Sequence, residues 1–319
     1  MLKLLLWLFL VFIAIISPFA GTADLDYNAL FESGSLSQRI FLELRLPRIL
    51  LAFVVGGTLA LAGLLFQTLF RNSLMTPFTL GVSGGAVLGA GMAIKLGLGL
   101  ILGISAVSLF GFMGALFTVV LLIILSRYLK RAEQESLLLL GIALSFFYTS
   151  ALMVIFYLSS FTETATIMRF TMGSLSIVGY ESVITISLIA AILLCFLWLK
   201  RFELQILAIS DEQASLKGID TKRLTYVFLI ITSLAIGVLV SLTGPIGFIG
   251  LIIPHMIRKL YQRSVSELIF PVFLLGGFFL LACDTLARYF STGSEIPIGV
   301  ITALIGGPFF IYLIISKQP

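Results

Sequence analysis

The stretch Gly244-Pro-Ile-Gly-Phe-Ile-Gly-Leu-Ile-Ile-Pro-His-Met-Ile-Arg258 constrains this chain more than any other. It is apolar enough for a bilayer, yet its three glycines and two prolines rule out one continuous helix. Broken backbone at membrane depth survives only against protein or a water-filled cavity, and it recurs where solutes cross. Gly244, Pro245, Gly247, Phe248, Pro254 and His255 therefore read as a broken helix beside a pathway. Hydrophobic residues make up 60% of the chain and charged residues 11%, against about 25% charged in soluble domains. No polar block is long enough for a separate soluble domain. Residues 1–319 read as one all-α polytopic membrane domain.

A span needs about 20 apolar residues. That rule places helices near 2–20, 49–70, 77–96, 98–126, 136–158, 180–199, 224–243, 266–289 and 297–316, with a short crossing at 246–257. Charge supports ten spans. With the N-terminus inside and sides alternating, 14 basic residues fall on the cytoplasmic side and 6 outside, in the sense of the positive-inside rule. Both termini are then cytoplasmic. Five spans on either side of residue 160 suit an inverted repeat. Residues 1–24 imitate a secretory signal but are taken as the first span. The net charge of +5 reflects topology rather than nucleic-acid binding. Cys195 and Cys283 lie in apolar runs and read as small buried hydrophobes.

Two stretches lie outside the spans. Residues 21–45 face outward, and Ser35–Leu46 is amphipathic, as for a helix on the membrane surface. Residues 203–223 face the cytoplasm and read as two short helices broken at Gly218, with Thr221 capping the second. Asp211 and Glu212 suit the start of the first. Asn72, Ser73 and Thr76 interrupt the inner end of the second span, where Thr76 can cap a helix with Pro77 at its first position. Gly85 and Gly89 have the spacing of close helix contact. Asp284 and Arg288, four apart, share a helix face and suit a membrane ion pair.

His255 is the single histidine. No Cys, Asp or Glu stands near it at ligand spacing, so a packing or hydrogen-bonding role is expected and no metal. No Gly-x-x-x-x-Gly-Lys-Ser/Thr run occurs. The chain therefore holds no ATP by such a loop, and no catalytic or cofactor-binding group is expected. An ion-driven transporter would need intramembrane carboxylates, of which only Asp284 clearly qualifies.

Eight segments together resemble the permease subunits of ABC importers for iron–siderophore, haem and cobalamin, the type II importers. They are Leu44-Arg-Leu-Pro-Arg48, Gly63-Leu-Leu-Phe-Gln67, Arg71-Asn-Ser-Leu74, Leu80-Gly-Val-Ser-Gly-Gly-Ala86, Gly244-Pro-Ile-Gly-Phe-Ile-Gly250, Pro254-His-Met-Ile-Arg258, Asp284-Thr-Leu-Ala-Arg288 and Glu295-Ile-Pro-Ile-Gly299. They occur in the family's order over roughly residues 40–310. Ser73 departs from the family's usual Pro.

The resemblance implies a dimer of permeases, or this chain with a paralogue, in a bacterial inner membrane. Two cytoplasmic ATPases would carry ATP and Mg²⁺, and an external binding protein would deliver a chelate, with a ferric siderophore the expected substrate. It implies docking of that protein on outward-facing Arg45, Arg48 and Arg288. It implies a cytoplasmic gate at Asn72, Leu74, Gln134 and Glu135. The segment 203–220 would be the ATPase coupling element, with Leu207, Asp211, Glu212, Leu216 and a bare face formed by Ala214 and Gly218.

Overall fold

The computed structural model describes residues 2–21, 26, 32, 34–101, 103–126, 134–291 and 295–315. Thirteen helices run through them: α1 (Leu2–Ile16), α2 (Leu36–Leu69), α3 (Val82–Lys95), α4 (Ala106–Ser126), α5 (Gln134–Leu158), α6 (Phe161–Thr171), α7 (Glu181–Leu199), α8 (Arg201–Ile209), α9 (Asp211–Leu216), α10 (Thr221–Thr243), α11 (Ile249–Tyr261), α12 (Val265–Tyr289) and α13 (Ile298–Ile315). Six of these, α2, α4, α5, α7, α10 and α12, are long and apolar enough to cross a membrane alone. Shorter apolar helices lie at α1, α3 and α13, and α11 occupies the place in the chain where a short crossing was expected over 246–257.

The centre of the bundle is α2. In its most apolar window 83% of the residues are buried, against 22% in α5. α5 turns Phe146, Phe147 and Tyr157 outward, a face suited to lipid or to a second copy. Two backbones meet where Gly63 of α2 crosses Gly250 of α11. A Cβ on Gly63 would stand 1.9 Å from the Gly250 carbonyl oxygen, so no larger residue fits without moving a helix. Gly85 and Gly89 make the expected close approach, against the backbones of Gly114 and Phe110 on α4.

Several boundaries differ from the sequence expectation. Ser35–Leu46 is no separate surface helix. It forms the first turns of α2, capped by the Ser35 side chain on Gln38 N–H, with a π-helical stretch over Ile40–Arg45. Pro47 cannot donate to the carbonyl four residues back. That carbonyl, Glu43, instead accepts the N–H of Gly179 at 2.9 Å. α3 begins at Val82 rather than 77, because Gly81 stands at φ +79 and Thr76 and Thr79 bond one another in a turn before it. Residues 98–105 are not helical: Leu100–Ile101 pairs antiparallel with Ile104–Ser105, and α4 follows. α10 starts under an Asp220 cap, not Thr221. Asp211 and Glu212 open α9, the second short helix of the 203–223 stretch, rather than the first. Cys283 is buried as expected, but Cys195 is exposed on α7.

Candidate functional site

At one end of α2 two arginines share one carboxylate, and Arg45 lines the same cavity. Arg48 donates from Nε to Asp284 Oδ1 at 2.9 Å, and Arg288 donates from Nε to Asp284 Oδ2 at 2.9 Å. The i,i+4 spacing on α12 places Arg288 over Asp284, and α2 brings Arg48 to its other oxygen. Asp284 has no exposed surface. A buried ion needs such partners, because desolvating it alone costs several kcal/mol. The remaining guanidinium groups turn to the chain after α1: Arg288 to the carbonyls of Ser17 and Ala20 and to Ser17 Oγ, Arg45 to the Pro18 carbonyl.

Glu295 closes the cluster from the segment before α13. Both its oxygens accept from Arg48 Nη1 at 2.8 Å, and Ser176 Oγ donates to it. Burial pushes this carboxyl up, but the Ser176 hydrogen bond and the charges of Arg48 and Arg288 outweigh that and hold it below the usual carboxylate range. The sequence suggested three arginines facing solvent. They are instead 6–9% exposed and hydrogen-bonded within the chain. They line a cavity of about 280 Å³ with Gly21, Ile40, Ser176 and Glu295.

The break after α10 is as expected, and a helix the sequence reading missed packs against it. Gly244 takes φ +69, a left-handed value that favours glycine, and Phe248 takes φ +68. Non-glycine residues hold such angles only where the surroundings over-determine them. Phe248 lies against Gly306 of α13, and Gly244 lies against the end of α6. α6 starts beside α3, where Lys95 Nζ bonds Glu163 at 3.1 Å, and ends against the break. There Ser174 N–H donates to Thr243 O at 2.7 Å, and Gly299 N–H to Met172 O at 3.0 Å. The chain then returns to α2 through Gly179 and the Tyr180 hydroxyl on Leu42 O. A cavity of about 520 Å³ opens here, lined by uncharged residues including Phe78, Met172, Pro245, Gly247, Phe248 and Leu304. His255 is partly buried on α11, and Pro254 is buried beside it.

At the far end of α2, Asn72 Oδ1 accepts Leu74 N–H and Asn72 O accepts Met75 N–H. Leu74 is exposed at this turn. The stretch around 203–220 folds as α8 and α9. Leu207 and Ala214 are buried in the chain's own core. This corrects the expected bare face: Ala214 points inward and only Gly218 is open, with nothing within 4 Å of its Cβ position. Leu216 is 87% exposed. The side chains of Gln134, Glu135, Asp211 and Glu212 lie outside the described ones, although helix backbone runs through all four.

The model of the FecCD transport family matches residues 8–316. The chain belongs to the FecCD family. It is 34% identical over 287 residues to an iron chelatin transport system permease of Helicobacter pylori, covering 90% of this chain and 85% of that one. It is 33% identical over 317 residues to a hemin transport system permease of Yersinia pestis, covering 98% and 95%. A vitamin B12 import permease of Serratia proteamaculans is 36% identical over 284 residues, covering 88% and 83%. A solved metal-chelate type ABC transporter in an inward-facing conformation superposes with a TM-score of 0.84 at 29% identity, covering 98% and 97%. The fold is that of a type II importer permease, and this FecCD chain is a membrane transport component rather than a catalyst.

Two features of the FecCD chain escaped the sequence reading. α6 carries a readable signal, the capping box Ser160-x-x-Glu163, with both reciprocal hydrogen bonds formed. The contacts of Glu295 with Arg48 and of Arg71 with Leu207 join residues 247 and 136 apart, and no local pattern announces them.

Proposed function

We propose that this FecCD chain is the permease of a bacterial inner-membrane importer that takes up ferric siderophores. Two copies, or this chain and a paralogue, enclose the pathway. Separate cytoplasmic ATPases supply the energy, and an external binding protein delivers the chelate to the end bearing Arg45, Arg48 and Arg288. Both termini lie in the cytoplasm. The observation that carries the reading is the uncharged cavity at the Gly244–Phe248 break. A bulky chelate needs a wall without strong binding groups, so that nothing holds it midway. The iron chelatin permease among the relatives favours a ferric complex.

The hemin and vitamin B12 permeases support a second reading within the same architecture, in which the cargo is a tetrapyrrole. An ion-driven carrier is disfavoured, because both oxygens of Asp284 are already held by guanidinium groups. Docking at the arginine end requires acidic groups on the binding protein to share or replace contacts with Ser17, Pro18, Ala20 and Glu295. The test is to purify the binding protein encoded beside this chain and identify its bound ligand by mass spectrometry. A ferric siderophore is expected. Haem or a corrinoid would move the assignment to the second reading.

A further inference from the structure

The turn after α2 and the coupling segment are joined by one cation. Arg71 donates from Nε and Nη2 to a single acceptor, the carbonyl oxygen of Leu207, at 3.2 and 3.0 Å. The last four carbonyls of a helix lack partners inside it, and Leu207 lies in the last turn of α8. A cation there also meets the negative end of the helix dipole. Arg71 reaches this position with a φ of +45, an angle that a non-glycine residue holds only under strain. A turn that only needed to reverse the chain would be better served by glycine.

What lies on either side gives the contact its direction. Asn72, next in the chain, accepts Leu74 N–H through its side chain and Met75 N–H through its carbonyl. Residues 71–75 thus form one hydrogen-bonded unit. On the other side, α8 is a short rigid piece, fixed by buried Leu204 and Leu207 and by the Ser266 hydroxyl on Gln205 Oε1 at 2.7 Å. Displacing α8 pulls on Arg71, and Arg71 carries the Asn72–Leu74 turn with it. We propose that Arg71 is a positioning residue that transmits movement of the 201–216 segment to the cytoplasmic gate. This rests on the importer reading above and adds to it the residue through which the two cytoplasmic sites communicate.

The experiment uses the full chain co-expressed with its ATPase in inside-out vesicles. Cys195 is replaced by Ala, and a Leu74→Cys reporter is labelled with a membrane-impermeant maleimide, with and without ATP and vanadate. The reporter in the Arg71-containing parent is expected to change its labelling rate several-fold on trapping the nucleotide. Arg71→Gly suits the positive φ and keeps the turn, but removes the clamp. It is expected to lose the nucleotide response while the ATPase still co-purifies. Arg71→Lys keeps a charge near the Leu207 carbonyl and is expected to retain part of the response. An unchanged response in Arg71→Gly overturns the proposal and leaves the importer reading standing. If Arg71→Gly fails to hold the ATPase, Arg71→Asn, which also tolerates this backbone, takes its place under the same two outcomes. A parent that ignores nucleotide contradicts the gate assignment itself, and the proposal with it.

Discussion

Gln67 of α2 donates its side-chain amide to the carbonyl of Gly250, four residues before Pro254. That carbonyl is the one orphaned by Pro254, which has no N–H to give it. The proline break in α11 is therefore repaired from a neighbouring helix, at 3.1 Å to Gly250 and 3.3 Å to Leu251. Membrane helices tolerate proline on just this condition. Gln67→Glu replaces the donor with acceptors facing two carbonyls. It is expected to destabilise more than Gln67→Leu, whose cost is about 1–3 kcal/mol for the unsatisfied carbonyl. Thermal unfolding in detergent, followed by size-exclusion fluorescence, gives the order. Equal loss in both variants would remove the repair role.

Gly63 stands one turn before Gln67 and faces the same carbonyl at a distance no Cβ can occupy. Gly63→Ala is expected to separate α2 from α11 and to lose folded protein outright. Gly247→Ala, with open space at its Cβ, is expected to fold normally. Yields of monodisperse protein from the two variants check this.

The Asp284 cluster behaves as a unit. Asp284→Ala leaves two buried guanidinium groups without their shared anion, a loss of about 3–5 kcal/mol by analogy with broken buried ion pairs. Arg45, which donates to the Pro18 carbonyl and not to Asp284 or Glu295 in the bonds described above, is the safer probe of docking. Arg45→Glu is expected to weaken binding-protein affinity at normal stability, whereas Arg48→Glu also unfolds the cluster. Surface plasmon resonance alongside the melting curves separates the two.

Glu295 predicts an acid-sensitive tie. Its carboxyl titrates below the usual value, so it favours the folded contact above about pH 4.3, the unperturbed value. That contribution disappears as pH falls through the depressed one. The protection of residues 173–179 against hydrogen exchange, relative to the intrinsic rate at each pH, is expected to fall at acid pH in the parent and to be low already at neutral pH in Glu295→Gln. Protection that is the same in both at every pH would contradict the tie.

The 201–216 segment separates support from contact. Ala214→Trp overfills a buried site and is expected to cost about 1–3 kcal/mol or more. Leu216→Asp changes an exposed side chain and is expected to release the ATPase from a stable chain. Co-purification together with unfolding temperature reads both effects.

The spans were legible because long apolar runs have one outcome in a bilayer, and the glycines and prolines at 244–258 marked the break correctly. Helix starts were less legible where a turn competed. Thr76-Pro77 looks like a cap, yet Gly81 at φ +79 carries the chain into α3. The arginines were identified, but not their burial, since the acceptors Asp284 and Glu295 are more than 230 residues away from Arg48. Ala214 misled because i,i+4 spacing with Gly218 fixes a face on a continuous helix. The helix ends at Leu216, so the two residues point apart.

ATP-driven import by this permease, with separate ATPase and binding subunits, is measured most directly in proteoliposomes holding this chain and its ATPase, supplied with the binding protein loaded with a radio-iron siderophore. Iron is expected to accumulate only with both ATP on the ATPase side and binding protein on the other. Accumulation that follows a proton or sodium gradient and ignores ATP would contradict ATP-driven import.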